Sequence, residues 1–166
     1  QYDRTERGGR NGRPFFVPTT MGYSHYLAFF SDYKDHKSFL GFIDDVRRIV
    51  ANAPENADLC GGLPDEPPII TTEGVTIGCV SNTSPFSKFK VQFSPKAATN
   101  RYPMTVLQTD RHPYDSVVCA CILAFAHHFP TSEPTSDGTI DDWKLGISLY
   151  EYSTERKAPS IYLREK

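Results

Sequence analysis

Arg4, Arg7, Arg10 and Arg13 stand three residues apart in a leader that contains Gly8, Gly9 and Gly12 and no apolar residue after Tyr2. Glycine at those points disfavours a helix, whereas an extended polyproline-II-like chain repeats every three residues and puts all four guanidinium groups on one side. Planar guanidinium forks in a row suit the phosphate oxygens of a polyanion. Farther along, Lys88 and Lys90 alternate with Phe89 and Val91, and Lys96 and Arg101 follow. Tyr2, Phe86 and Tyr102 could stack on exposed bases. This combination predicts salt-sensitive, sequence-tolerant binding to nucleic acid. The competing reading is an arm that is solvated, touches a partner protein or folds back on its own acidic body.

Two shorter strings have enzyme-like chemistry. Thr109-Asp110-Arg111-His112 falls where a strand should meet a helix, a junction that can hold an anion on backbone N–H groups or present an acid and a histidine to a substrate. Against that use, Pro113 removes a donor, Asp110 repels an anion, and helix capping accounts for the acid. Asp142-Trp143-Lys144 has the D-x-K form that metal-dependent nucleases place on a strand, with the carboxylate on Mg²⁺ and the lysine beside the attacking water. Its neighbours Glu133, Asp137 and Asp141 make a solvated acidic loop an equally simple reading. The weak catalytic candidates are therefore Asp110, His112, Asp142 and Lys144.

The histidines and cysteines form no ligand spacing. His127 and His128 are adjacent, so on a helix they diverge by about 100° and grip no single ion, while placement at a helix C-terminus explains both. His25 and His36 lack partners nearby in sequence. Cys119 and Cys121 point about 200° apart on a helix and cannot pair. With Cys60 and Cys79 they read as reduced, buried thiols, and Cys119 has no basic neighbour in sequence to make it reactive. A zinc site is the sharp alternative, but no C-x-x-C or H-x-x-x-H spacing exists, so the expectation is no metal and no cofactor. Asn82-Thr83-Ser84 matches a glycosylation sequon, but Pro85 follows directly and nothing suggests secretion.

The chain has 166 residues, enough for one ordinary core, so residues 1–13 read as a flexible arm and 14–166 as one globular domain. Hydrophobic residues make up 39% and aromatic ones 13%, with a single tryptophan, Trp143. Such aromatic content favours a β-rich core. The net charge of −2 hides an asymmetry of +2 in residues 1–13 and −4 in the remainder. A basic arm on an acidic body reaches outward for polyanions or back onto the body or a neighbouring subunit. No stretch approaches the roughly 20 apolar residues of a membrane span, and the leader lacks a signal-peptide core, so the chain reads as soluble and cytoplasmic.

Several elements must position these groups. Pro14 to Pro18 reads as the point where the arm docks, and residues 21–30 suit a strand or a short helix equally. Phe39, Phe42, Ile43, Val46, Ile49 and Val50 recur at steps of three and four, which predicts an amphipathic helix over 35–52 with Asp45 and Arg48 off the apolar stripe and Asp44 paired to Arg48. Residues 54–68 read as a surface loop, followed by strands at 69–72, 75–80 and 88–93 and another at 104–109. Asp110 as N-cap and Pro113 in the first turn open a helix over 113–129. Its middle, Val117 to Ala126, is apolar on every face, so it lies at the centre of the core or of a subunit contact. Residues 131–142 read as a loop, Trp143–Tyr152 as an alternating strand, and Ser160–Leu163 as an edge strand.

The sum is an α+β fold, a mainly antiparallel sheet of about five strands packed with helices 35–52 and 113–129. No complete catalytic set is visible. The leading expectation is a small non-enzymatic binding protein, a viral or accessory factor, engaging nucleic acid or a nucleic-acid-handling assembly through Arg4, Arg7, Arg10 and Arg13 with Lys88 and Lys90. A hydrolase or metal-dependent nuclease at Thr109–His112 is the first alternative. A structural subunit, a homo-oligomer assembled through helix 113–129, is the second.

Overall fold

The computed structural model describes residues 22–28, 35–93 and 104–161. Among these, three helices and two antiparallel sheets make an α+β fold. The first sheet is built around β1 (Ser24–Ala28), flanked by β6 (Met104–Gln108) and β7 (Glu133–Ser136). Its register sets His25 opposite Leu107 on one side and Ser136 on the other. Side chains alternate across a strand, so Tyr23, His25 and Leu27 share the buried face. Residues 21–30, compatible with either element in sequence, thus resolve as a central strand over their described part.

The second sheet is built around β4 (Gly74–Cys79), with β2 (Leu59–Cys60), β3 (Ile69–Thr71) and β5 (Phe89–Gln92) paired to it. Phe89 and Val91 point into the core while Lys88, Lys90 and Gln92 are exposed, the predicted apolar and wet faces of this strand. The loop expected over 54–68 is interrupted by a 3-10 turn at Glu55–Ala57 and by β2, which buries Cys60.

Helix α1 (His36–Ala51) starts at Asp35, whose carboxylate accepts from the Lys37 N–H at 3.0 Å. Its stripe Phe39, Phe42, Ile43, Val46 and Ile49 is fully buried. Asp45 departs from expectation. It lies inside with that stripe, because His128 and Arg156 from other parts of the chain meet it there. Asp44 pairs with Arg47 at 2.9 Å instead of with Arg48, since i,i+3 residues are helix neighbours as well.

Helix α2 (Asp115–His128) is the predicted apolar helix, packed between α1 and α3 (Ile140–Thr154). Every residue from Val117 to Phe125 is buried within the chain, so this helix keeps no apolar face for the subunit contact that the third reading needs. Its start differs from the prediction. Tyr114 is the N-cap, while Asp110 and Arg111 take left-handed φ values of 48° and 58° in the preceding turn. Pro113 ahead of the first full turn and the buried Tyr114 ring move the start four residues on from the expected cap.

Residues 143–152 are the other correction, since they are helical and not a strand. The alternating string also fits a 3.6-residue period, with Trp143, Gly146, Tyr150 and Ser153 buried on one side. A capping box decides the matter: the Thr139 side chain takes the Asp142 N–H and the Asp142 carboxylate takes the Thr139 N–H at 2.7 Å. β7 occupies part of the segment expected as a loop. Ser160 and Ile161 are in no strand, and residues 162–163 lie outside the described residues.

Candidate functional site

The junction between β6 and α2 does gather chemistry, but of the string Thr109–His112 only Thr109 joins it, and the other members are His25, Asp115 and Cys119. Asp115 opens α2, and its carboxylate turns inward to His25 Nε2 at 2.7 Å. Thr109, buried at the end of β6, donates its hydroxyl to the same carboxylate oxygen. One helical turn on, Cys119 Sγ lies 3.7 Å from His25 Nε2 and 3.9 Å from Asp115 Oδ2. Imidazole, carboxylate and thiol ligand atoms thus lie within 4.8 Å of one another.

The far side of the ring is held as firmly. His25 Nδ1 is 2.9 Å from Ser136 Oγ on β7. That hydroxyl also accepts the Gly138 N–H at 3.0 Å and donates to the Ser24 carbonyl at 3.5 Å. Ser136 Oγ accepts from Nδ1–H in one ring tautomer and donates to Nδ1 in the other. On the other side of the ring, Nε2 faces the Asp115 carboxylate. Tyr23 and Trp143 pack edge-on against the imidazole, with centroids 5.0 and 5.1 Å away. Both rings are buried, and neither Tyr23 Oη nor Trp143 Nε1 has a hydrogen-bond partner among the described residues.

Electrostatics follow from burial. The Cys119 thiol is pushed well up, first by burial and then by the Asp115 carboxylate beside it. Burial also raises the Tyr23 phenol, again with Asp115 adding to the effect. Asp115 is the cluster's opening to solvent, its side chain 14% exposed against 0% for His25.

The sequence candidates surround this cluster without converging. Asp110 is exposed and accepts from Gln108 Nε2 at 3.3 Å. His112 Nδ1 meets Ser81 Oγ at 3.2 Å, and Ser81 in turn meets Cys79 Sγ at 3.1 Å. Asp142 pairs with Arg111, whose guanidinium lies 4.2 Å from the Tyr23 ring centroid. The Thr139 N–H first, and Arg111 after it, hold the Asp142 carboxyl below its ordinary value. Lys144 turns to Asp141 at 2.7 Å on the solvent side of α3. Two positions apart on a helix, Asp142 and Lys144 diverge, so the D-x-K string lacks the strand geometry of the nuclease pattern.

Of the basic candidates, Lys88 and Lys90 are exposed, and the Lys88 ammonium donates to the Gly62 carbonyl. Phe86 nearby in sequence is 59% exposed. Arg4, Arg7, Arg10 and Arg13 lie outside the described residues, as do Tyr2, Lys96, Arg101, Tyr102 and the segment 14–18. All four cysteines are free thiols and buried. His25 does have partners, brought from 90 and 111 positions away. Asp115 and Cys119, four apart on an apolar helix, were the one local signal of a shared face.

No family model matches the chain, and neither a curated protein nor a solved structure matches it significantly.

Proposed function

We propose that the protein is a small non-enzymatic accessory factor that binds nucleic acid, or an assembly handling it, through Arg4, Arg7, Arg10 and Arg13. The observation that carries this reading is the three-residue arginine spacing in a glycine-containing leader, which in an extended chain would put four phosphate-binding forks on one side. The outward face of β5 supports it. There Lys88 and Lys90 stand exposed on the same side of the strand, following Phe86 at the surface. Backbone phosphates would supply the affinity, and any base contact would be stacking on aromatic rings, so binding tolerates sequence and weakens with salt.

The test is electrophoretic retardation of labelled single- and double-stranded oligonucleotides by the full chain and by a variant with all four arginines changed to alanine. If each arginine meets one phosphate of a duplex, the slope of log affinity against log salt falls by roughly 3–4 in the variant. Lys88→Ala with Lys90→Ala gives a smaller loss in the same direction. Equal retardation by the variant, or none by the full chain in low salt, removes this function.

A further inference from the structure

We propose that His25 Nε2, Cys119 Sγ and a carboxylate oxygen of Asp115 bind one divalent cation of the zinc class, with water completing a four-coordinate shell. A thiolate, an imidazole and a carboxylate together select a borderline ion such as Zn²⁺ over Mg²⁺ or Ca²⁺, which prefer all-oxygen shells. Ligand bonds of about 2.0 Å to nitrogen and oxygen and about 2.3 Å to sulfur span tetrahedral edges of roughly 3.3–3.6 Å. The sulfur already stands 3.7 and 3.9 Å from Nε2 and Oδ2. Nε2 stands 2.7 Å from the other carboxylate oxygen, Oδ1, so the Asp115 side chain must rotate to set a single oxygen at such an edge from both nitrogen and sulfur.

The surroundings are those of a ligand set. Ser136 Oγ stands 2.9 Å from Nδ1, placed to accept its proton in the tautomer that frees Nε2 to coordinate, and Thr109 orients the carboxylate. Thiolate and carboxylate balance the charge of a divalent ion inside a core that tolerates no net charge. Binding releases the Cys119 thiol proton, and any proton between His25 and Asp115, to solvent through the partly exposed Asp115 edge.

The test uses the full chain, stripped with a chelator and titrated with Co²⁺ and then Zn²⁺. Expected are one equivalent of Co²⁺ with a thiolate-to-cobalt charge-transfer absorption, displacement by Zn²⁺, and a higher thermal midpoint with metal. Cys119→Ser abolishes the absorption, Cys121→Ala keeps it, and Ser136→Ala weakens binding by about tenfold while keeping the stoichiometry. Absence of stoichiometric binding by the wild-type chain overturns the proposal. An absorption that survives in Cys119→Ser overturns it as well, because another thiol then holds the ion. If Cys119→Ser does not fold, X-ray absorption on the zinc-loaded wild type decides: one sulfur among nitrogen and oxygen ligands supports the site, and none or several excludes it.

Discussion

A methyl group on Gly146 would stand 2.3 Å from the Cβ of Cys119 and 3.1 Å from the Ser116 carbonyl, so α3 crosses α2 with its backbone against the wall of the His25 cluster. Only glycine permits that approach. Gly146→Ala must push the two helices apart, and overpacking of this kind costs about 1–3 kcal/mol. Urea unfolding checks the loss. An unchanged midpoint would mean that α3 shifts freely and does not hold Cys119 in place.

Asp45 ties three parts of the chain together, accepting from His128 Nε2 at 2.7 Å on α2 and from Arg156 just beyond α3. Burial pushes its carboxyl up, but His128 and Arg156 outweigh burial and hold it below the ordinary 3.8. The unfolded chain therefore takes up this proton at a higher pH than the folded one does. The resulting stability is fully present above pH 3.8 and is lost as pH falls through the lower folded value. Asp45→Asn is expected to cost about 2 kcal/mol near neutrality and to flatten the acid end of the stability profile. An acid limb of the same steepness in both proteins would assign it to other carboxylates.

Glu155 closes α3 in a left-handed conformation, φ 56° and ψ 28°, with its N–H on the Glu151 carbonyl at 2.9 Å. A side chain is strained there and glycine is not. Glu155→Gly should raise stability by up to about 1 kcal/mol. Thermal unfolding shows the sign directly, and a fall would mean that the Glu155 side chain makes a contact worth more than the strain.

Tyr114 fastens the start of α2 to the second sheet. Its buried hydroxyl donates to the Ser87 carbonyl at 2.7 Å and receives Asn82 Nδ2 at 3.3 Å, while Asn82 also reaches the Gln108 carbonyl at 3.1 Å. Tyr114→Phe leaves that carbonyl unsatisfied at nearly constant volume, a cost of about 1–3 kcal/mol. Because Asp115 follows directly, hydrogen exchange in the 109–115 turn should quicken as well. A stability loss without faster exchange would separate the anchor from the cluster.

Asn82 also bears on the sequon. Its side-chain nitrogen is buried and donates to the Gln108 and Thr109 carbonyls, so it does not stand free to carry a glycan.

The amino-acid order alone determined the α+β class, the bounds of α1 to within a residue or two, and the buried nature of α2. Those follow from local periodicity: Phe39 to Ile49 can present one apolar face only as a helix, and Val117 to Phe125 have no polar face to give to water. It also placed Lys88 and Lys90 outside and Phe89 and Val91 inside. Tertiary packing bears on whether Trp143 to Tyr150 is strand or helix, since both periods bury acceptable residues and only the helix sets Trp143, Gly146 and Tyr150 together on the side packed against α2; the Thr139–Asp142 box that opens it is a local signal. Tertiary structure alone made His25 a partner of Asp115, Cys119 and Ser136. A histidine takes its role from whatever stands within about 3 Å of its two nitrogens, and here those neighbours arrive from a helix and a strand some 90 to 111 positions away.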